Sequence, residues 1–212
     1  MNVVETLGRK FARLATTAVV RRPALWRVFR GPLRRQFDAL ATRWDEIRSA
    51  NPLHLAALEQ ALEAIEPPAR RVLDLGTGTG AAAFAVTQAF PEADVVGADL
   101  APAMVEEARR NTPPELAGRL RFEVADAAHL PYAEGAFDLV CLANMIPFFD
   151  ELARVLAPGG SALFGFSDGP RTPIYVPPDR LRAELGRRGF SDFAEFSVGS
   201  GTALLARKAD RP

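Results

Sequence analysis

Apolar residues at Val4, Leu7, Phe11, Leu14 and Ala18 recur at spacings of three and four, the period of a helix with one apolar stripe. Arg9, Lys10, Arg13 and Arg21 lie largely off that stripe. Gly31-Pro32 is expected to break the pattern, because proline lacks the amide that an interior turn needs. A second amphipathic helix follows, with Leu33, Phe37, Leu40, Trp44 and Ile47 on one face. Asn51-Pro52 opens a third, with Asn51 as its cap and Pro52 in its first turn. Its buried stripe is Leu55, Leu58, Leu62 and Ile65, and Pro67-Pro68 ends it.

From residue 71 the pattern changes to alternating strands and helices. Strands are predicted near 71–75, 94–98, 120–124, 137–142, 160–166, 193–198 and 201–207, with helices near 80–90, 102–111, 148–156 and 178–188. Such alternation gives an α/β fold, a doubly wound and mostly parallel sheet. Gly199-Ser200-Gly201 is too short for a crossover, so the last two strands form a hairpin and the seventh runs antiparallel at the sheet edge.

The most informative stretch is Val72-Leu73-Asp74-Leu75-Gly76-Thr77-Gly78-Thr79-Gly80. A buried strand that breaks into glycines and enters an alanine-rich helix places bare backbone at the carboxyl edge of a parallel sheet, where nucleotide-like ligands bind. Glycine suits the turn because a Cβ would oppose positive φ and the approach of a ligand to the main chain. The stretch does not name its ligand. Gly76-x-Gly78-x-x-Ala81, with Asp99 near the spacing of a ribose-binding acid, also satisfies a dinucleotide fingerprint.

Composition narrows the classes. The chain has 212 residues, 48% of them hydrophobic, which suits one globular unit with a sizeable core. Its single cysteine, Cys141, lies in the apolar run Leu139-Val140-Cys141-Leu142 and is expected to be a packed core thiol in a reducing compartment. With two histidines there is no cluster of metal-ligand spacing, and no metal is implied. The longest amino-terminal apolar run, Leu14 to Val20, is far below the roughly 20 residues that span a bilayer. Arginines interrupt any signal-like segment, so a cytoplasmic location is expected. Net charge is zero but uneven: residues 1–48 carry 11 basic against 4 acidic side chains, and the remainder 15 against 22. The chain therefore divides into a basic amphipathic helical arm or lid, 1–48, and a ligand-binding domain, 49–212.

Downstream of the glycines stand Val95-Val96-Gly97-Ala98-Asp99-Leu100, then Val124-Ala125-Asp126-Ala127-Ala128-His129-Leu130-Pro131-Tyr132, Phe137-Asp138-Leu139-Val140, and Glu151-Leu152-Ala153-Arg154-Val155-Leu156-Ala157-Pro158-Gly159-Gly160. In this order and at these separations, the series resembles the class I S-adenosylmethionine-dependent methyltransferases, especially the small-molecule branch of ubiquinone and menaquinone biosynthesis. The resemblance covers residues 70–208. It implies a Rossmann-like methyltransferase fold with seven strands, S-adenosylmethionine (SAM) as cofactor, and methyl transfer to a small or lipophilic acceptor.

The resemblance also assigns tasks. The Gly76-Thr77-Gly78 backbone passes against the methionyl part of the cofactor, and Asp74 orients that turn. Asp99 accepts from both ribose hydroxyls, for which a carboxylate offers two oxygens. Asp126 accepts from the adenine amine while the Ala127 amide meets a ring nitrogen, with Leu100 and Leu130 on either side of the ring. Asn144 falls where relatives line the methyl-donor centre. The loop Leu142-Ala143-Asn144-Met145-Ile146-Pro147-Phe148-Phe149 lacks the histidines of many relatives, and it is not the Asn-Pro-Pro-aromatic motif of amide and base methylation.

In-line displacement at a sulfonium methyl needs mainly proximity and a dry pocket. A base is required only for a phenol, an acid or a carbon acid. The candidates are His129, Tyr132, Tyr175 and Asp168, none with a supporting partner in the sequence, and His54 on the third helix is a lid or surface residue. Ser167 to Pro178 is a candidate wall of the acceptor pocket. A nicotinamide oxidoreductase and a non-catalytic SAM-binding protein remain the alternatives. Nucleic acid is disfavoured because aromatics in the arm follow its apolar stripes. The arm is expected to close over the cleft and to meet an acidic or peripheral-membrane partner, or else to pack on the sheet or on a second subunit of a homodimer.

Overall fold

The computed structural model describes residues 3–210, with side chains described from residue 6 onward. Seven strands form one sheet: β1 (Arg71–Leu75), β2 (Asp94–Asp99), β3 (Leu120–Val124), β4 (Phe137–Ala143), β5 (Leu156–Phe166), β6 (Phe190–Val198) and β7 (Gly201–Lys208). Their order is β3-β2-β1-β4-β5-β7-β6. The first five are parallel, and β7 pairs antiparallel with both β5 and β6. The hairpin forms as expected, but the reversed strand β7 lies inside the sheet and β6 is the edge. Burial explains this: β7 places Ala203, Leu204 and Ala206 in the core, whereas β6 is mostly exposed.

The helices of the sheet are α5 (Ala81–Ala89), α6 (Pro102–Asn111), α7 (Phe149–Val155) and α8 (Pro178–Gly186), preceded by α1 (Val3–Arg21), α2 (Trp26–Leu40), α3 (Trp44–Ser49) and α4 (Ala56–Leu62). Strand order reverses between β1 and β4. That puts the carboxyl ends of β1, β2 and β4 beside one crevice, as in other open α/β sheets. β1 is buried from Val72 to Leu75, so its side chains fill the core on both faces and only its exit into Gly76 is free to meet a ligand.

The amino-terminal helices depart from the sequence expectation in three ways. α2 runs through Gly31-Pro32 instead of stopping there. The amide that Pro32 lacks would have bonded the carbonyl of Val28, and both residues face solvent while Trp26 and Leu33 anchor the inner face. The expected stripe of α1 is only partly turned inward: Leu7 and Leu14 are each 60% exposed, Phe11 and Ala18 are half-buried, and Ala12, Ala15, Thr16 and Val19 form the buried face. Small side chains let α1 lie close to the core, and Arg13 fixes its rotation by donating to the carbonyls of Pro170 and Thr172, both at 2.9 Å. Val4 lies outside the residues whose side chains are described. The third expected helix is shorter, α4 starting at Ala56. Asn51 caps a turn through Leu53 N at 3.2 Å and ties it to Ser167 O at 2.9 Å.

Candidate cofactor cleft

The turn after β1 is held from both sides. The amides of Gly76 and Thr77 donate to Ala98 O on β2, at 2.8 and 3.1 Å. Gly76 and Gly78 take φ of 75° and 55°, and Gly80, which precedes α5, takes 95°. A Cβ on Gly76 would come within 2.8 Å of Met145 Sδ, so the turn and the loop after β4 are in direct contact. Inside the turn, Thr77 Oγ1 donates to the fully buried Asp74 at 2.6 Å. Burial pushes the Asp74 carboxyl up to about 7, with the Thr77 hydroxyl and the Ala83 amide opposing the rise.

Asp99 ends β2 with its carboxylate spanning two main-chain segments. Oδ2 accepts from Gly78 N at 2.9 Å, and Oδ1 from Ala101 N at 2.8 Å. Burial raises its pKa, and the amides of Ala101 and Gly78 counter that. The acid therefore joins the glycine turn to the start of α6, with Leu100 half-buried beside it.

Asp126, after β3, holds its own turn by accepting from Ala128 N at 3.0 Å. It also accepts from outside the sheet domain, from Trp26 Nε1 at 2.7 Å and Arg30 at 3.4 Å. Ala127 is buried. Leu130 is buried too, its amide bonded to Glu151 at 2.7 Å and its carbonyl to Arg154 at 3.0 Å. Arg154 holds the Glu151 carboxyl below the usual carboxylate range. The Glu151-to-Gly160 segment thus braces the loop that carries Leu130 and Asp126.

The residues expected to do chemistry are differently placed. Asn144 adopts a positive φ of 53°, its amide donates to Gly165 O at 2.8 Å, and its Oδ1 accepts from Ser167 N at 2.9 Å. It ties the ends of β4 and β5 together, and Met145 is the residue of this loop that touches Gly76. His129 is exposed. Tyr132 donates to Glu123 at 3.0 Å, with its pKa raised by burial and by that carboxylate. Tyr175 packs edge-on against Phe166 at 4.9 Å, and burial raises its pKa. Asp168 is paired with Arg171 at 2.7 Å, which holds its pKa down. His54 Nδ1 lies 2.9 Å from Asn51 O, and burial lowers its pKa. Tyr132, Asp168 and His54 are thus engaged by Glu123, Arg171 and the Asn51 carbonyl in turn. Cys141 is buried in β4, and burial raises its thiol pKa further. Among the described residues no group of acids, histidines and cysteines could hold a metal.

Sequence reasoning expected the arm to close over the cleft but missed its polar contacts. Trp44 lies where a Cβ on Gly78 would be 3.4 Å from its Nε1. Asp45 accepts from Thr79 and, at 2.9 Å, from Asn111. Asp38 accepts from Ala103 N at 3.1 Å in the first turn of α6. Only the apolar periodicity of Phe37, Leu40 and Trp44 pointed to this docking; the acids between them gave no signal of their own.

An adenosyl cofactor fits these residues. The glycine turn bares its backbone at the crevice, and two separate strand ends present carboxylates, Asp99 and Asp126, on its rim. A nicotinamide dinucleotide gives no reason for the second acid.

The comparisons with known proteins agree. A family profile described as a methyltransferase domain matches residues 72–160. A demethylmenaquinone methyltransferase of Thermus thermophilus is 47% identical over 105 residues, covering 46% of this chain and 47% of that relative. A ubiquinone/menaquinone biosynthesis C-methyltransferase of Desulfotalea psychrophila is 30% identical over 201 residues, covering 85% of this chain and 79% of that relative. The chain spans about half the length of the curated relatives that match its core at higher identity. In fold it is similar to a chain of the complex between the Haloferax volcanii Trm112 methyltransferase activator and a methyltransferase, with TM-score 0.65 at 20% identity over 82% of this chain and 97% of that one. The sheet, the acid series and these matches place the chain in the class I S-adenosylmethionine-dependent methyltransferase family, in the ubiquinone and menaquinone methyltransferase-like branch.

Proposed function

We propose that this chain transfers the methyl group of SAM to a small, lipophilic acceptor of quinone type. The observation that carries the reading is Asp99, a half-buried carboxylate bonded at once to the Gly78 amide of the glycine turn and to the amide of Ala101, the residue that precedes α6. That geometry fixes an anionic acceptor pair at the end of β2, the place where a ribose diol is recognised. Gly76, Thr77 and Gly78 would pass against the methionyl part, Asp126 and the Ala127 amide would take the adenine edge, and Leu100 and Leu130 would enclose its ring. Asn144 holds the loop on the methyl-donor side, with Met145 against Gly76.

When bound, the cofactor supplies an already activated sulfonium methyl. The protein's part is to hold donor and acceptor in line and to exclude water, worth up to roughly 7–11 kcal/mol of barrier when orientation is good. The paired or inaccessible state of Tyr132, Asp168 and His54 supports a reaction that leans on proximity rather than a strong base. The relatives named for demethylmenaquinone and for ubiquinone and menaquinone biosynthesis support the quinone class. Incubation with methyl-labelled SAM and a demethylated quinol tests this: label should move to the quinol, and SAM binding without transfer to any lipophilic acceptor would instead mark a binding protein.

The division into an arm, 1–48, and a cofactor domain, 49–212, belongs to the same reading. The exposed Leu7 and Leu14 beside Lys10 support contact of α1 with an anionic lipid surface, where a lipophilic acceptor would reside.

A further inference from the structure

Residues of α2 and α3 touch the groups assigned to the cofactor. At the adenine end the contact is closest. Trp26 is only 7% exposed, its ring stands edge-on to Phe148 at 5.0 Å, and its indole N–H donates to Asp126 Oδ1 at 2.7 Å. The same oxygen accepts from Ala128 N at 3.0 Å. A carboxylate oxygen has two in-plane lone pairs, and both are used on Oδ1. Oδ2 faces the Arg30 guanidinium at 3.4 Å, again from α2. A further donor on Oδ1 must therefore replace the indole, and one on Oδ2 must share that oxygen with Arg30.

The replacement is chemically like for like. An indole N–H and an adenine exocyclic amine are both neutral donors on a flat aromatic system, and each fills an apolar slot while giving one hydrogen to the acid. Beside Asp126 the apolar slot holds the Trp26 ring, packed on Phe148.

We propose that α2 is a built-in occupant of the adenine end of the cleft, held there by Trp26, and that the adenosyl cofactor binds by displacing it. The proposal rests on the assignment of Asp126 to adenine. Because Asp38 of α2 bonds the first turn of α6 and Trp44 of α3 covers Gly78, withdrawal of Trp26 also loosens the cover of the ribose and methionyl ends. Arm position and cofactor occupancy are thus two faces of one equilibrium, and each opposes the other by the same factor. The measured cofactor affinity is the intrinsic affinity reduced by the fraction of molecules with α2 withdrawn.

Trp26→Phe keeps a ring against Phe148 and removes the donor. Calorimetry with S-adenosylhomocysteine should show this variant binding about tenfold more tightly than the wild type, the scale of one lost competing bond to a charged group. In the wild type the same compound should speed tryptic cutting after Arg27, Arg30 and Arg34. If the compound instead protects α2 from trypsin, Trp26 is a wall of the pocket and the proposal is overturned, whatever the variant does. Equal or weaker binding by Trp26→Phe, with wild-type binding intact, overturns the proposal and leaves the cofactor assignment standing. If neither protein binds the compound, the cofactor assignment falls and the proposal with it.

Discussion

Thr77 Oγ1 donates to Asp74 Oδ2 at 2.6 Å, across the bend where β1 becomes the glycine turn. This bond only partly offsets the burial of a carboxyl whose pKa rises from 3.8 to about 7, and the nearby Asp99 charge adds to the rise. The sign follows. The folded state keeps a proton on Asp74 that the unfolded chain has already released, so this group's contribution to stability falls as pH rises from about 4 to about 7 and is level above that. Asp74→Asn keeps the shape without the titration. Thermal unfolding should show the stability difference between variant and wild type shifting in the variant's favour across that window, by about 4 kcal/mol at most. A difference independent of pH would sink the assignment.

Asp99 is the acid on which the cofactor reading leans most. Asp99→Ala should weaken SAM binding by about 1.5–3 kcal/mol in calorimetry, the range for hydrogen bonds to a charged group. Asp99→Asn keeps one acceptor and should fall between the two. Unchanged affinity in the alanine variant would remove Asp99 from the site.

The sheet was legible because its signals are local. Alternating apolar runs, the glycine turn, and Gly199-Ser200-Gly201 each restrict the nearby backbone, and the acids at 74, 99 and 126 fall at strand ends that those signals already locate. The rotation of α1 was not legible. Both of its faces carry apolar residues, and the buried face is set by the bonds of Arg13 to Pro170 and Thr172, about 160 residues away in the chain. The passage of α2 through Pro32 has the same origin, since local chemistry favours a break and tertiary anchoring of Trp26 and Leu33 overrides it. Trp26 was not singled out in the sequence, because the acid to which it donates stands 100 positions later.

Tyr132, Asp168 and His54 are engaged by Glu123, Arg171 and the Asn51 carbonyl, which leads to a kinetic expectation. Substitution of His129, His54 or Tyr175, one at a time, should lower turnover of a quinol acceptor by less than roughly 100-fold, below most of the range for loss of a general base. A fall of roughly 10,000-fold at any one of them would show that a base is used after all.

Asn144 separates a backbone role from a catalytic one. Its positive φ costs a β-carbon-bearing residue about 1–2 kcal/mol, and its Oδ1 also holds Ser167 N. Asn144→Ala keeps the conformational cost and loses the bond to Ser167, so it should destabilise the fold in denaturant titration by about 1 kcal/mol. Asn144→Gly loses the same bond but is relieved of that cost, so it should be about 1–2 kcal/mol more stable than the alanine variant. Equal losses in the two variants would mean that φ at this position carries no strain.

The exposed leucines of α1 give the test of membrane contact. Leu7 and Leu14 lie two helical turns apart, each 60% exposed, with Lys10 between them in sequence. An amphipathic helix of this kind lies in a lipid interface through its apolar residues, and each basic side chain near an anionic surface adds about 1 kcal/mol. The double substitution Leu7→Ser and Leu14→Ser removes the apolar part and leaves every charge in place. Because both side chains face solvent, stability should stay within about 0.5 kcal/mol of the wild type. Sedimentation with phosphatidylserine vesicles should nevertheless drop at physiological salt, and so should turnover of an acceptor embedded in those vesicles, while turnover of a detergent-dispersed acceptor is kept. If the wild type fails to sediment with the vesicles, or the variant sediments equally well, α1 is not a membrane-binding helix.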